Sequence, residues 1–338
     1  MSPMAGRTKI LITGVGGLIA SHLADYLLGK GHDVYGVDNF SIGRKQNVNE
    51  NVKLFMANCQ DERRIDQIFQ YIKPDVVFHA AAWAHEGLSQ FMPVKLTDEN
   101  YMAHINMLKA SIKHGVKKYI FLSSMSVYGS QKPPFDETLP RQPEDIYAIS
   151  KAASEASLEV LSKVHGIDYV IIRPHNLYGE RQIMGDPYRN VAAIFINRCL
   201  QGKHFFIYGD GEQKRAFTYI TDTIPAIAKA MDVSKEIINV GPTEEFTINQ
   251  LGEEVLKHFP NNPKPIHLPP RPLEVKDAWC TNDKVKELLG YETKTSFEDG
   301  IRKMVDWAKE QGYQKPRYLN RLELETEDLP KTWKEKLI

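Results

Sequence analysis

The sequence predicts an α/β fold: a Rossmann doubly wound parallel sheet followed by a smaller C-terminal α/β lobe. Three observations carry that prediction. Short apolar runs alternate with helical patterns through the first half of the chain. These runs are apolar on both faces, as strands are when helices cover a parallel sheet on each side. The first run ends in a glycine-rich turn, TGVGGLIAS (13–21), that leads straight into a helix.

The elements follow in order. KILITG (9–14) reads as a strand, and the helix after it closes on Gly31. DVYGVD (33–38) and VKLFMAN (52–58) read as the second and third strands, and DERRIDQIFQYI as the next helix. VVFHAA (76–81) is a fourth strand, 94–114 a longer helix, and KKYIFLSS (117–124) a fifth strand. A helix over 146–165 leads to a sixth strand, DYVIIRPHN (168–176). Beyond 176 the rhythm breaks. A Gly/Pro-containing loop (179–188) precedes a helix (189–202), the strands HFFIY and AFTYIT, a helix from Asp222, the strand IINVG and a helix after FTINQ. PNNPKPIHLPPRP (260–272) reads as a loop, because its prolines disfavour a helix. The expected division is 1–176 as the dinucleotide-type domain, 177–312 as a substrate lobe interleaved with it, and 313–338 as a charged tail without periodicity.

The 338 residues suit one large α/β fold with a lobe attached. Lys+Arg and Asp+Glu both number 43, so neither nucleic acid nor an anionic membrane is expected as partner, and an anionic ligand needs a local cluster of cations. Three cysteines, Cys59, Cys199 and Cys280, show no CxxC or Cys/His pattern. That argues against a disulfide framework or structural zinc and fits a reducing cytoplasm. The apolar stretch ILITGVGGLIA is too short to span a bilayer.

In the first turn, Gly14, Gly17 and Ala20 are the small residues that permit a tight turn, close approach of a pyrophosphate and close helix–sheet packing. The phosphates would meet the free N–H groups of the helix N-terminus. Asp38 ends the second strand, where a carboxylate accepts from a ribose 2′-OH and repels a 2′-phosphate, so NAD is expected over NADP. Arg44, close by, works against that preference. Ser124 ends the fifth strand, and Tyr147 and Lys151 lie four apart on one helix face. A tyrosine near pKa 10 is a poor base unless positive charge stabilises its phenolate, which a lysine ammonium and a nicotinamide cation would supply. Ser124 would hold a substrate hydroxyl for that transfer.

Together TGVGGLIASH, VDN, PDVVFHAAA, SSMSVYG, YAISK, RPHNLYGERQ, YGDGEQKRAFTYI and INVG resemble the extended short-chain dehydrogenases/reductases, the nucleotide-sugar epimerase and dehydratase group, over about residues 8–308. The resemblance implies a tightly held NAD that is reduced and reoxidised within one turnover. It places Leu18, Ile19, Asn39, Asn58, Cys59, Ala80, Ala81, Ala82, Asn100, Ser123 and Pro174 around that cofactor, with Tyr147 and Lys151. In dehydratases that resemble this chain, an Asp-Glu pair performs the elimination where Met125 and Ser126 stand here, and related decarboxylases usually keep a glutamate at the place of Ser126. Neither a thioether nor a hydroxyl replaces that chemistry, so a UDP-sugar 4-epimerase is expected. Glu86, with His85 beside it, could instead serve as the base of an unusual dehydratase. A non-catalytic NAD-binding regulator is the alternative of a different class.

For the substrate, the resemblance assigns Arg215 and Arg271 to the diphosphate, Glu274 to a nucleotide ribose, Asn176 to the sugar diphosphate, and Asn190 and Val191 to the uracil. His175 stands where epimerases usually carry Phe. A gatekeeper falls on Ala278, or on Trp279 one residue later. An alanine there leaves room for an N-acetyl group. The helices at 94–114 and 146–165 resemble a dimer-forming pair, which implies a homodimer.

Overall fold

The structure is a computed structural model that describes residues 7–271 and 275–338. The first half contains β1 (Lys9–Thr13), α1 (Leu18–Gly29), β2 (Asp33–Asp38), β3 (Lys53–Met56), α2 (Glu62–Ile72) and β4 (Val76–His79). It continues with α3 (Glu86–Ser89), α4 (Pro93–Thr97), α5 (Ala103–Lys113), β5 (Lys118–Leu122), α6 (Ile146–His165) and β6 (Asp168–Pro174). The second half holds β7 (Leu177–Tyr178), α7 (Val191–Cys199), β8 (Phe206–Tyr208), β9 (Lys214–Arg215), β10 (Thr218–Tyr219), α8 (Ile220–Lys229) and β11 (Glu236–Val240). It ends with β12 (Phe246–Thr247), α9 (Ile248–Lys257), β13 (Ile266–Leu268), β14 (Asp277–Ala278), α10 (Asp283–Leu289), α11 (Phe297–Gln311) and α12 (Lys331–Lys334).

Seven strands form the central sheet in the order β11-β6-β5-β4-β1-β2-β3, and every adjacent pair is parallel. Its inner strands are buried on both faces, which is why they read as unbroken apolar runs, whereas the edge strand β3 is partly exposed. Strand order reverses between β1 and β4, and a crevice opens beyond their C-terminal ends. Thr13 and His79, the last residues of these strands, are joined by a 2.8 Å hydrogen bond, Oγ1 to Nδ1. Thr13 Oγ1 also accepts the N–H groups of Ala80 and Ala81, each at 3.1 Å, and so fixes the floor of the crevice.

Three departures from the sequence reading matter for the site. The helix expected over 94–114 is interrupted by a π-turn at Asp98–Met102 between α4 and α5. That turn aims Asn100 at the loop after β4, and π-turns commonly reshape helices at functional sites. The Pro-rich 260–272 stretch contributes the short strand β13, parallel to β8. Residues 314–338 fold onto the body, with Leu322 and Trp333 buried in an apolar cluster with Phe91, Met92 and Leu96. Their apolar residues follow loop geometry rather than a helix or strand period, so the sequence pattern is silent about them.

Candidate active site

The glycine turn forms because its backbone must pass where no Cβ fits. Gly14 has φ +70, and a Cβ on it would stand 2.8 Å from Ala81 Cα. The turn is tied to the end of β2: Gly16 N–H donates to Asp38 Oδ2 at 2.8 Å, and Phe40 N–H donates to Oδ1 at 2.6 Å. Each carboxylate oxygen keeps a lone pair for a ribose hydroxyl. Burial raises the Asp38 pKa, and the backbone donors at Gly16, Phe40 and Asn39 oppose that. Leu18, Ile19, Asn39, Cys59 and Ala80–Ala82 line the same cavity as Gly14, Gly17 and Asp38. Arg44 turns away and donates to Gln314, leaving the acid to set the ribose preference. These residues fit a dinucleotide with an unsubstituted ribose.

The cavity continues past Ser123, Ser124, Tyr147, Lys151 and Pro174. Ser124 Oγ accepts Ser126 N–H at 3.1 Å and Ser126 Oγ–H at 3.0 Å, and it also meets the Tyr147 phenol. Asp145 caps α6 by accepting Ala148 N–H at 2.8 Å, which sets Tyr147 and Lys151 one turn apart on the inward face. Lys151 Nζ donates to Leu122 O at 2.7 Å and stands 5.8 Å from the Tyr147 ring centre. Burial pushes the Tyr147 phenol above its ordinary pKa. Glu86 reinforces that rise, and Arg189 and the Ser124 bond oppose it. Burial lowers Lys151 to about 7, with Glu155 opposing. Arg189, which sequence reasoning did not single out, is a cation that opposes the rise of the phenol.

Glu86 lines the cavity near Tyr147, and so does Asp145, which the sequence analysis did not single out. Ser89 Oγ links them, donating to Glu86 O at 2.6 Å and meeting Asp145 Oδ1 at 3.3 Å. Burial and then Glu86 raise Asp145 to about 7.

Three expected site residues sit behind the wall rather than on it. His85 Nε2 pairs with Asp186 Oδ2 at 2.7 Å, so its partner is Asp186 and not Glu86. Asn100 holds both the N–H and the carbonyl of Trp83, at 2.8 and 3.1 Å, bracing the loop after β4. Asn58 accepts from Asn39 and reaches the cavity only through it. His175 is fully buried, and burial lowers its pKa to about 3, so a neutral ring packs near Phe135 behind the pocket.

Asn176, Asn190, Val191, Arg215, Arg271 and Ala278 all line the substrate half of the cavity. Asn176 takes φ +36 and donates to Ala216 O at 3.0 Å and to Met125 Sδ at 3.8 Å. Asn190 caps α7 through Ala192 N–H. Ala278, rather than Trp279, forms the wall, packed in a cluster with Met125 and Phe135. Glu274 lies outside the described residues.

A dinucleotide cradle with a Ser-Tyr-Lys group at the strand ends defines a dehydrogenase-type site. Residues 10–241 match the model of the NAD dependent epimerase/dehydratase family. The chain belongs to that family. It is 33% identical over 321 residues to a UDP-N-acetyl-alpha-D-glucosaminuronate decarboxylase of Bacillus cytotoxicus, covering 90% of this chain and 98% of that one. Among solved structures, a UDP-glucose 4-epimerase of Thermotoga maritima with UDP-glucose superimposes with TM-score 0.85 at 35% identity, over 89% of this chain and 99% of the other. A Thermus thermophilus UDP-glucose 4-epimerase complex with NAD gives 0.83 at 32%, over 89% and 98%. Among the described residues no helix is long and apolar enough to cross a membrane, and no cluster of three metal-ligating side chains occurs.

Proposed function

We propose that this chain is an NAD-dependent UDP-sugar 4-epimerase acting on a UDP-hexose or UDP-N-acetylhexosamine. One observation carries the reading. Ser124, Tyr147 and Lys151 share a cavity with the dinucleotide cradle, while positions 125 and 126 offer only a thioether and a hydroxyl. Ser124 holds the O4 hydroxyl and Tyr147 takes its proton. NAD, held by the cradle around Gly14, Gly17 and Asp38, would supply a reversible hydride acceptor for C4. Arg189 favours the phenolate that burial disfavours. Arg215, Arg271 and Asn176 hold the diphosphate, Asn190 and Val191 the uracil, and small Ala278 leaves room for an N-acetyl group. The 4-keto sugar turns within the pocket and accepts hydride on its other face.

A second reading rests on Glu86 and Asp145. Two carboxyl groups beside Tyr147 could remove and return a C5 proton, giving a dehydratase with its acid and base outside the usual positions. Proton NMR in D2O with UDP-GlcNAc, UDP-glucose and UDP-glucuronate separates the two. A new C4 epimer with no deuterium on carbon supports epimerisation. Deuterium at C5 or an alkene signal overturns it in favour of elimination. We also propose a cytoplasmic homodimer paired through α4–α5 and α6, whose exposed Val94, Met102, Ile149, Val160 and Val164 form an uncovered apolar face. Light scattering that gives a monomer mass would refute the dimer.

A further inference from the structure

Residues 314–338 cross the front of the molecule as a strap. Gln314 N–H donates to Asn197 Oδ1 at 2.8 Å, and Arg317 N–H donates to Gly185 O at 2.9 Å, fixing the strap to the lobe and to the loop before α7. The Glu323 carboxylate then accepts Val94 N–H at 2.8 Å and Lys95 N–H at 2.9 Å, which caps α4 on the sheet domain. The strap returns to the lobe, where Thr332 Oγ1 and Tyr208 OH lie 2.6 Å apart. Trp333 Nε1 donates to Pro187 O at 3.1 Å, and its ring meets Phe91 and Tyr188 edge to face. Pro330, Thr332 and Trp333 line the cavity itself.

Their position within it is specific. A Cβ on Gly87 would lie 3.4 Å from the Trp333 ring and 3.9 Å from the Arg271 guanidinium. Gly87 directly follows Glu86. Arg271 lies over the Tyr208 ring, 4.7 Å from its centroid, and Tyr208 is the partner of Thr332. The Trp333 ring and the Arg271 guanidinium therefore both stand against the turn that carries Glu86. The Thermotoga and Thermus structures are covered almost completely, yet 11% of this chain has no counterpart in them.

We propose that the strap is part of the substrate site, with Trp333 and Thr332 walling the passage between the reacting end and the diphosphate and contributing directly to nucleotide-sugar affinity. This rests on the nucleotide-sugar reading above. Its aromatic wall excludes water from the diphosphate's neighbourhood, which strengthens the hold of Arg271 on an anion.

The test is calorimetric titration of the full-length protein with UDP and UDP-glucose, for wild type, Trp333→Ala and Thr332→Val, together with melting temperature and bound NAD content. The expected result is at least tenfold weaker UDP-glucose binding in Trp333→Ala and a smaller loss in Thr332→Val, with NAD content unchanged. UDP-glucose should also slow tryptic cleavage after Lys331, Lys334 and Lys336 in the wild type, which a mere brace would not show. Unchanged affinity in a folded Trp333→Ala, or cleavage insensitive to the ligand, overturns the proposal while leaving the enzyme reading intact. A wild type that binds neither UDP nor UDP-glucose overturns the nucleotide-sugar reading itself.

Discussion

Replacing Asp145 by Asn should stabilise the protein at pH 8, although it removes a charge from a helix N-terminus. Asp145 is raised from 3.8 to about 7, first by burial and next by Glu86. A raised carboxyl binds more protons in the folded state than in the unfolded state between those two values. Its contribution to stability is therefore full below the unfolded value and is lost as pH rises through the folded one. A displacement of about three pH units corresponds to a ceiling of about 4 kcal/mol at about 1.4 kcal/mol per unit. Water penetration and relaxation around a partly hydrated cavity reduce this, and about 1–2 kcal/mol is the expected gain at pH 8. Asn caps a helix as well as Asp does, so the Ala148 N–H bond survives. Urea unfolding of wild type and Asp145→Asn at pH 8, 6 and 4.5 measures the effect. The gain should shrink steadily as the pH falls. A variant that is less stable at pH 8, or a difference that does not vary with pH, would refute the picture of a carboxyl held in its acid form by burial and Glu86.

Tyr147→Phe should cut turnover by about 10²–10⁴-fold while leaving bound NAD in place, as absorbance of the purified protein would report. Glu86→Gln should change epimerisation by less than about tenfold but abolish any C5 exchange, if the two roles divide as proposed. It should also lower the Tyr147 and Asp145 pKa values, because Glu86 raises both; the acid limb of the pH–rate profile would move down. Ala278→Leu should reduce kcat/KM for UDP-GlcNAc far more than for UDP-glucose, at a stability cost of about 1–3 kcal/mol from overpacking beside Met125 and Phe135. Gly14→Ala should lose the dinucleotide and about 1–2 kcal/mol, because φ +70 and the approach to Ala81 both oppose a side chain.

The cradle was legible because each part of it is local. Gly14, Gly17 and Asp38 lie within one β-α-β unit, whose geometry follows from period and turn chemistry. Tyr147 and Lys151 were legible for the same reason, since four residues on a helix are one turn. The roles of Asp145, Arg189 and Asp186 were not, because each acts on a partner brought near only by the closed fold. Asp145 caps α6, yet its raised pKa depends on Glu86, which the distant α3 brings near it beside Ser89. His85 looked like a partner for Glu86 by adjacency. Successive residues point apart, and Asp186, from a loop one hundred residues on, claimed it.

By itself, then, the sequence determined the strand–helix alternation, the parallel sheet, the glycine turn with its acid, and the spacing of the catalytic helix. These are set by backbone conformation and by periodicities that span a few residues. Only the tertiary structure decided which charges face Tyr147, that Ala278 rather than Trp279 lines the cavity, and that Pro330, Thr332 and Trp333 reach its wall. Electrostatic environment and burial are properties of segments distant in the chain meeting in space, and no local pattern encodes where they meet.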